Sequence, residues 1–348
     1  MKYSRNQLNV IGKRLVSPDT DIIIYTEGLT MVEEWRKLHS EPLRRLMDAI
    51  AQILDDAGIK PAFFSQRLKR MDSIIGKLKR NPQMGLGGVQ DIGGGRFVFD
   101  DINSLLLAKT VIEKTDIESF KLAKAPIDYV QQPKESGYRS IHFAYKYSSD
   151  NPDFNGAYLE IQIRTRLQHD WATAVETAEL IANSHLKASQ GDSNWLEFFK
   201  LVSAIFAKKE NMPGGEKFGQ LDTRSLCRKY YELNSTYQFL TQLKALVGAV
   251  KIANEQSFSK GYAVLAIQYD KKQSTFYHFA DEKLDQANAL YSKLESMLKP
   301  ETGAVVLVSV TGMKELQEAY SSYFLDAGEF ISALEKFNDS CIIQGYIK

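Results

Sequence analysis

Cysteine is almost missing from this chain. Cys227 and Cys341 are the only two in 348 residues. They stand far apart and outside any CxxC pair, which argues against a disulfide framework and a cysteine-rich zinc site and suits a reducing cytoplasm. No apolar run approaches the roughly 20 residues that span a bilayer. The N-terminus MKYSRNQLNVIGKRLVS carries charge but no apolar core of signal length, so neither export by that route nor a membrane partner is expected. A surplus of one charge is missing too. The 44 Lys+Arg against 43 Asp+Glu leave +1, which provides no global field for DNA or an acidic surface, so any basic site must be local. There is no internal repeat and no low-complexity tract. What remains, 44% hydrophobic and 25% charged residues, is the make-up of a folded chain, long enough for two domains or for one with an appendage.

Apolar residues recur every three or four positions through 28–58 (Leu43, Leu46, Met47, Ile50, Ile53, Leu54), which predicts a helix stopped by Gly58 and Pro61. A second helix is expected over 70–80. The glycine-dense run Gly85 to Gly95 then forbids regular helix ahead of a short strand, Arg96 to Phe99. A helix over 101–114, strands at Arg139 to Tyr147 and Ala157 to Arg164, and helices over 165–209 follow. NMPGGEKFGQ (211–220) has the composition of a boundary. Beyond it, Leu226, Tyr230, Leu233, Tyr237, Leu240, Leu243 and Val247 predict one long amphipathic helix. Strands at 262–269, 275–279 and 304–310 and helices near 281–297 and 328–337 complete a small α+β module. The expected fold is therefore an α/β (α+β) catalytic domain, a mixed sheet flanked by helices, followed by a smaller module. The expected divisions are 1–210, a linker and helical anchor over 211–256, and 257–348.

Three clusters in the first domain carry chemistry. In RLKRMDSIIGKLKR (67–80), six cations accompany one acid, and a helix would align Lys69, Ser73 and Lys77 along a stripe suited to polyphosphate. Alone, such a segment is equally a solvated basic face. In GLGGVQDIGGGRFVFDD (85–101), the glycines leave room for a ligand near the backbone, and Asp91 is a candidate Mg²⁺ ligand beside substrate phosphates. The string is not GxxxxGK[ST], which excludes a P-loop ATPase. In PKESGYRSIHFAYKY and AYLEIQIRT, alternation puts Ile141, Phe143, Tyr145 and Tyr147 on one face and Tyr138, Ser140 and His142 on the other. Leu159, Ile161 and Ile163 then face the core, and Glu160, Gln162 and Arg164 face away from it.

In order and spacing these clusters resemble the synthetase domain of the RelA/SpoT family over roughly residues 60–180. That resemblance implies a nucleotidyltransferase-like fold and Mg²⁺-dependent transfer of pyrophosphate from ATP to a ribose 3′-hydroxyl. It assigns Arg67, Lys69, Ser73, Lys77 and Arg96 to ATP, with the two arginines stacking on adenine, and Asp91 to the metal. Tyr138 becomes the platform for the acceptor base, with Lys134, Arg139, His142, Gln162, Arg164 and His169 as further acceptor contacts. Glu160 becomes the base and second metal ligand. The histidine–aspartate hydrolase of the long bifunctional members has no counterpart here. His39 stands alone, His169-Asp170 lies inside the synthetase motif, and His185 and His278 lack ligand company.

Two acceptors share this chemistry: GTP or GDP, giving (p)ppGpp, and the 3′-terminal adenosine of tRNA. The whole layout is similar to CapRel-type proteins, fused toxin–antitoxin chains of phage defence whose C-terminal part resembles a zinc finger without zinc. That resemblance implies tRNA modification, translation inhibition and abortive infection, triggered by a phage protein binding the C-terminal module. It also implies that a YxxY element, here Tyr320 and Tyr323, covers the ATP site until then. Two aromatics at i and i+3 also fit the packed end of a helix. A non-catalytic RNA-binding regulator on the same scaffold is the remaining alternative.

Overall fold

Ser4 begins the first helix, α1 (Arg5–Val16), with a capping box. Its hydroxyl accepts from the Gln7 amide, and the Gln7 side chain accepts from the Ser4 amide. The computed structural model describes residues 2–182, 193–247, 251–252, 261–268, 273–298, 303–310 and 327–347. Tyr320, Tyr323 and His185 lie outside these residues. The periodic stretch 28–58 is two helices, α2 (Ile22–Lys37) and α3 (Ser40–Asp56). Pro42 has no amide with which to extend α2, so the chain turns at Leu38–His39 and restarts with the proline in the first turn of α3.

A mixed sheet follows. Its strands in chain order are β1 (Phe63–Leu68), β2 (Gly93–Phe99), β3 (Phe120–Leu122), β4 (Ile127–Asp128), β5 (Ile141–Tyr147), β6 (Tyr158–Thr165), β7 (Lys251–Ile252), β8 (Gly261–Gln268), β9 (Gln273–Ala280) and β10 (Gly303–Val310). The spatial order is β3-β5-β6-β2-β1-β10-β8-β9-β7, with β4 paired to β5. β2 and β6 run parallel, as do β7 and β9, and the other pairs are antiparallel. α4 (Met71–Arg80) links β1 to the glycine run, and α5 (Ile102–Lys114) starts from Asp101, which caps Ser104. α3 and α5 cover one face of β2, β5 and β6, burying Leu46, Ile50, Phe97, Phe143 and Ile161 completely. The face opposite is left for the site.

A helical core stands beside the sheet: α6 (Arg166–Ala182), α7 (Ser193–Lys209), α8 (Thr223–Tyr237), α9 (Phe239–Val247) and α11 (Gly328–Ile343) pack around Trp195, Phe198, Phe199, Tyr230 and Phe330. The single helix expected over 226–247 is broken at Gln238, whose left-handed φ of 55° ends α8. The C-terminal strands do not form a separate sheet. β10 pairs with β1 (Gln66 opposite Ser309, Arg67 opposite Val308), and α10 (Leu284–Met297) packs on β8 and β10. α11 returns to the helices of the first part of the chain. That return corrects the expectation drawn from the cysteines: Cys227 on α8 and Cys341 on α11 are joined in a disulfide with Cα atoms 5.8 Å apart. Separation along the chain, 114 residues here, does not limit separation in space once a terminal helix folds back.

Candidate active site

Four strands align their polar residues across one face. The pairings place Arg67 opposite Gly94, Gly94 opposite Glu160, and Glu160 opposite Ala144; two residues along each strand, and so on the same face, Ser65, Arg96, Gln162 and His142 form the next row. The period of two in β5 and β6 sends the aliphatic residues to the α3 side, as their alternation predicts. The glycines divide between the two faces. A Cβ on Gly95 would lie 2.2 Å from Met47 Sδ, and one on Gly93 would lie 2.8 Å from Leu159, so these two let α3 approach the sheet. A Cβ on Gly94 would meet nothing nearer than backbone oxygens at 3.9 and 4.0 Å. Gly94 is therefore the one that leaves open backbone beside Glu160. The strand begins at Gly93, three residues before the expected Arg96, because paired neighbours on both sides supply the order that glycine lacks.

Lys69 is not on a helix. β1 ends at Leu68 and α4 begins at Met71, so the expected three-residue helical stripe is only Ser73 and Lys77, one turn apart on α4. The lysines nevertheless converge: Lys69 Nζ and Lys77 Nζ each lie 2.9 Å from a different oxygen of Asp91. Burial would push the Asp91 carboxyl up, but the two ammonium groups outweigh it and hold the pKa at about 2. Burial also lowers Lys69, against the pull of Asp91.

Glu160 accepts from Gln162 Nε2 at 2.7 Å, and its other oxygen lies 3.4 Å from His142 Nδ1. His142 Nε2 is 3.0 Å from the Tyr138 hydroxyl, so phenol, imidazole and carboxylate form a chain. A proton on Nδ1 toward Glu160 leaves Nε2 to accept from the phenol. Burial would raise Glu160 and the Asp91 charge raises it further, but the His142 contact prevails and the net shift is downward. Each carboxylate thus sits within electrostatic reach of the other, and both act on the ammonium of Lys134. Lys134 Nζ lies 4.5 Å from the Tyr129 ring centre and 5.0 Å from that of Tyr138, held between two aromatic faces. Tyr129 is a site residue that motif reasoning missed. Its only sequence signal is an aromatic residue before the PKESGYRS loop.

Arg139, Arg164 and His169, expected among the acceptor contacts, are all buried. Arg139 is buried with its Nε donating to Ser203 Oγ (3.0 Å) and Nη1 to the Val130 carbonyl (3.0 Å). Ser203 Oγ in turn donates to the Gly137 carbonyl at 2.6 Å, so Arg139 and α7 tie together both arms of the loop carrying Tyr129 and Tyr138. Burial lowers the Arg139 pKa to about 10. Arg164 is also buried, and it donates to His169 Nδ1 at 2.6 Å. Burial and then the charge of Arg96 hold the Arg164 guanidinium well below its usual range. Behind it, Glu210 accepts from Thr165 and Gln168, and its burial raises its carboxyl.

The donor set suits a hard divalent cation. Two ionised, partly buried carboxylates lie within electrostatic reach of one another, with lysines on the first, the environment in which Mg²⁺ takes one or two protein oxygens and completes its shell with phosphate and water. No group of three or more His, Cys, Asp or Glu side chains placed to hold a metal ion occurs among the described residues. No helix among them is long and apolar enough to cross a membrane.

Comparison with known proteins finds similarity to the part of the chain that carries this sheet face. Residues 66–181 match the family model described as the region found in RelA / SpoT proteins. An uncharacterised protein of Mycobacterium tuberculosis is 30% identical over 177 residues, half of this chain and 58% of that protein. A GTP pyrophosphokinase of Bacillus subtilis is 32% identical over 114 residues, 32% of this chain and 53% of that protein. The chain thus spans little more than half the length of these relatives. Among solved structures, small alarmone synthetase 1 of Bacillus subtilis bound to its product pppGpp aligns at 22% identity and TM-score 0.41, over 51% of this chain and 89% of that one. Small alarmone synthetase 2 of the same organism aligns at 22% identity and TM-score 0.42, over 54% of this chain and 94% of that one.

Proposed function

We propose that the chain is an ATP-dependent pyrophosphokinase acting on the ribose 3′-hydroxyl of a purine nucleotide. The observation that carries this reading is that Asp91, gripped by Lys69 and Lys77, and Glu160, beside the Tyr138–His142 pair, lie within electrostatic reach of one another. Asp91 and Glu160 are the residues to hold Mg²⁺, which when bound neutralises charge on the donor phosphates. Lys69, Lys77 and Ser73 then receive the phosphate chain, Arg67 and Arg96 the adenine, and Tyr138 with Lys134 the acceptor base. Glu160 accepts the proton of the 3′-hydroxyl as its oxygen bonds to the β-phosphorus. The bond between that phosphorus and the α,β-bridging oxygen breaks, and AMP leaves with the electron pair.

Two acceptors remain within this reading. The match to a GTP pyrophosphokinase supports GTP or GDP, with (p)ppGpp as product. The similarity of the layout to CapRel-type chains supports the 3′-terminal adenosine of tRNA, in a cytoplasmic toxin–antitoxin fusion of phage defence. In that version residues 1–210 are the toxin and 211–256 the anchor. Residues 257–348 restrain the enzyme through Tyr320 and Tyr323 until a phage protein binds. Incubation with Mg²⁺, ATP labelled at the γ-phosphate, and either GTP, GDP or deacylated tRNA tests both. Label moving to one acceptor selects it. No transfer to any of them, with RNA binding unchanged in Asp91→Asn and Glu160→Gln, establishes the non-catalytic regulator instead.

A further inference from the structure

The turn between β1 and α4 is gripped by residues from the two ends of the chain. Arg36 on α2 is fully buried. Its Nη1 donates to the Lys69 carbonyl (3.2 Å), the Tyr291 hydroxyl (2.8 Å) and Glu295 Oε1 (3.3 Å), and its Nη2 donates to Glu295 Oε2 (2.9 Å) and to Glu33. Glu295 Oε1 also accepts from the Met71 amide at 3.2 Å and from the Tyr291 hydroxyl at 2.6 Å. Met71 is the first residue of α4, and Arg70, its N-cap residue, makes no side-chain cap. A carboxylate 224 residues away in sequence therefore serves an amide at the positive end of this helix. Just before the turn, β10 pairs with Gln66 and Arg67.

We propose that Glu295 and Arg36 are positioning residues for the donor-phosphate site, so that the C-terminal segment is part of what shapes that site. This rests on the reading of Lys69 and Lys77 as phosphate ligands. Lys69 extends from the turn itself and Lys77 from the helix the turn launches. Arg36 fixes the carbonyl of the first, and Glu295 fixes the amide that starts the second. Joining α10 to α2 would need only the ion pairs among Arg36, Glu33 and Glu295. The two further bonds to the main chain at Lys69 and Met71 direct the cluster at the turn.

Glu33 provides a matched control, because it is a second carboxylate on the same buried guanidinium, with 18% side-chain exposure against 16% for Glu295, and it makes no bond to the turn. Full-length Glu295→Ala and Glu33→Ala, or the Gln pair if either Ala variant fails to fold, are compared by hydrogen exchange over residues 69–73 and by steady-state kinetics. Glu295→Ala is expected to speed exchange in that turn and raise KM for ATP, each by about ten-fold, with KM for the acceptor within two-fold of wild type. Glu33→Ala is expected to lose comparable thermal stability and leave both readouts near wild type. Equal effects of the two variants on exchange and on KM for ATP, or no effect of Glu295→Ala on exchange, overturn the proposal. If the wild-type chain transfers no pyrophosphate, the functional reading fails, while the exchange comparison still decides whether Glu295 holds the turn.

Discussion

Lys77 and Asp91 meet at 2.9 Å, and Lys69 reaches the other oxygen of the same carboxylate at the same distance. In the free chain these charges satisfy one another. On the function proposed above, a polyphosphate would offer the lysines a stronger partner and release the Asp91 oxygens toward a cation. The trio is thus organised for an exchange of partners.

The first prediction concerns stability. The folded Asp91 pKa of about 2 lies below its ordinary value of 3.8. The group therefore stabilises the fold above that ordinary value and loses its contribution as pH falls through about 2. The contribution is about 2 kcal/mol at pH 7 and roughly half of that at pH 3. Urea unfolding of wild type and Asp91→Asn at the two pH values checks this. A gap between them that stays constant or widens in acid contradicts the assignment.

Glu160→Gln is expected to lower transfer by about 10² to 10⁴ while melting behaviour and binding of a non-hydrolysable ATP analogue persist. Because the Glu160 carboxyl sits below its ordinary 4.5, the acid limb of kcat/KM is expected to lie below that pH. Full activity in the variant refutes its role as base.

Tyr129 and Tyr138 hold Lys134 between them, so replacing either ring with alanine is expected to raise KM for the acceptor by about ten-fold and leave KM for ATP in place. A rise confined to ATP would move these rings to the donor side.

The disulfide closes a loop containing the whole C-terminal part of the sheet. Reduction is expected to lower stability by about 3 kcal/mol. This is measured as the urea midpoint with and without dithiothreitol, and Cys227→Ser should show no response to the reductant. Thiol titration of the denatured, unreduced protein that finds two free thiols would show the pair to be open.

Local pattern revealed the faces of the sheet and little of its assembly. Alternation alone placed Glu160, Gln162 and His142 together, because a strand with one buried face enforces a period of two. Helical periodicity found α3 but ran on through the turn at Leu38–His39, since apolar spacing does not register a missing amide at Pro42. The cationic stripe grouped two residues that do converge, but by the wrong route: Lys69 and Lys77 meet at Asp91 through a strand–helix turn, which spacing cannot distinguish from a continuous helix. β1 was missed because PAFFSQRLKR shows neither period clearly, although it is central, with β2 on one side and β10 on the other. Its partnership with β10 and the Cys227–Cys341 bridge join residues far apart in the chain, and no local signal specifies such partners.

Gly94 gives the cleft a floor of bare peptide. Side chains around it can be exchanged for others of different size and charge, but a main-chain surface offers nothing to exchange, and any substitution there only adds bulk. Selection for new substrates can therefore remodel the walls of the cleft far more readily than the ground beside Glu160. Gly94→Ala would raise that ground by one methyl group beside Glu160.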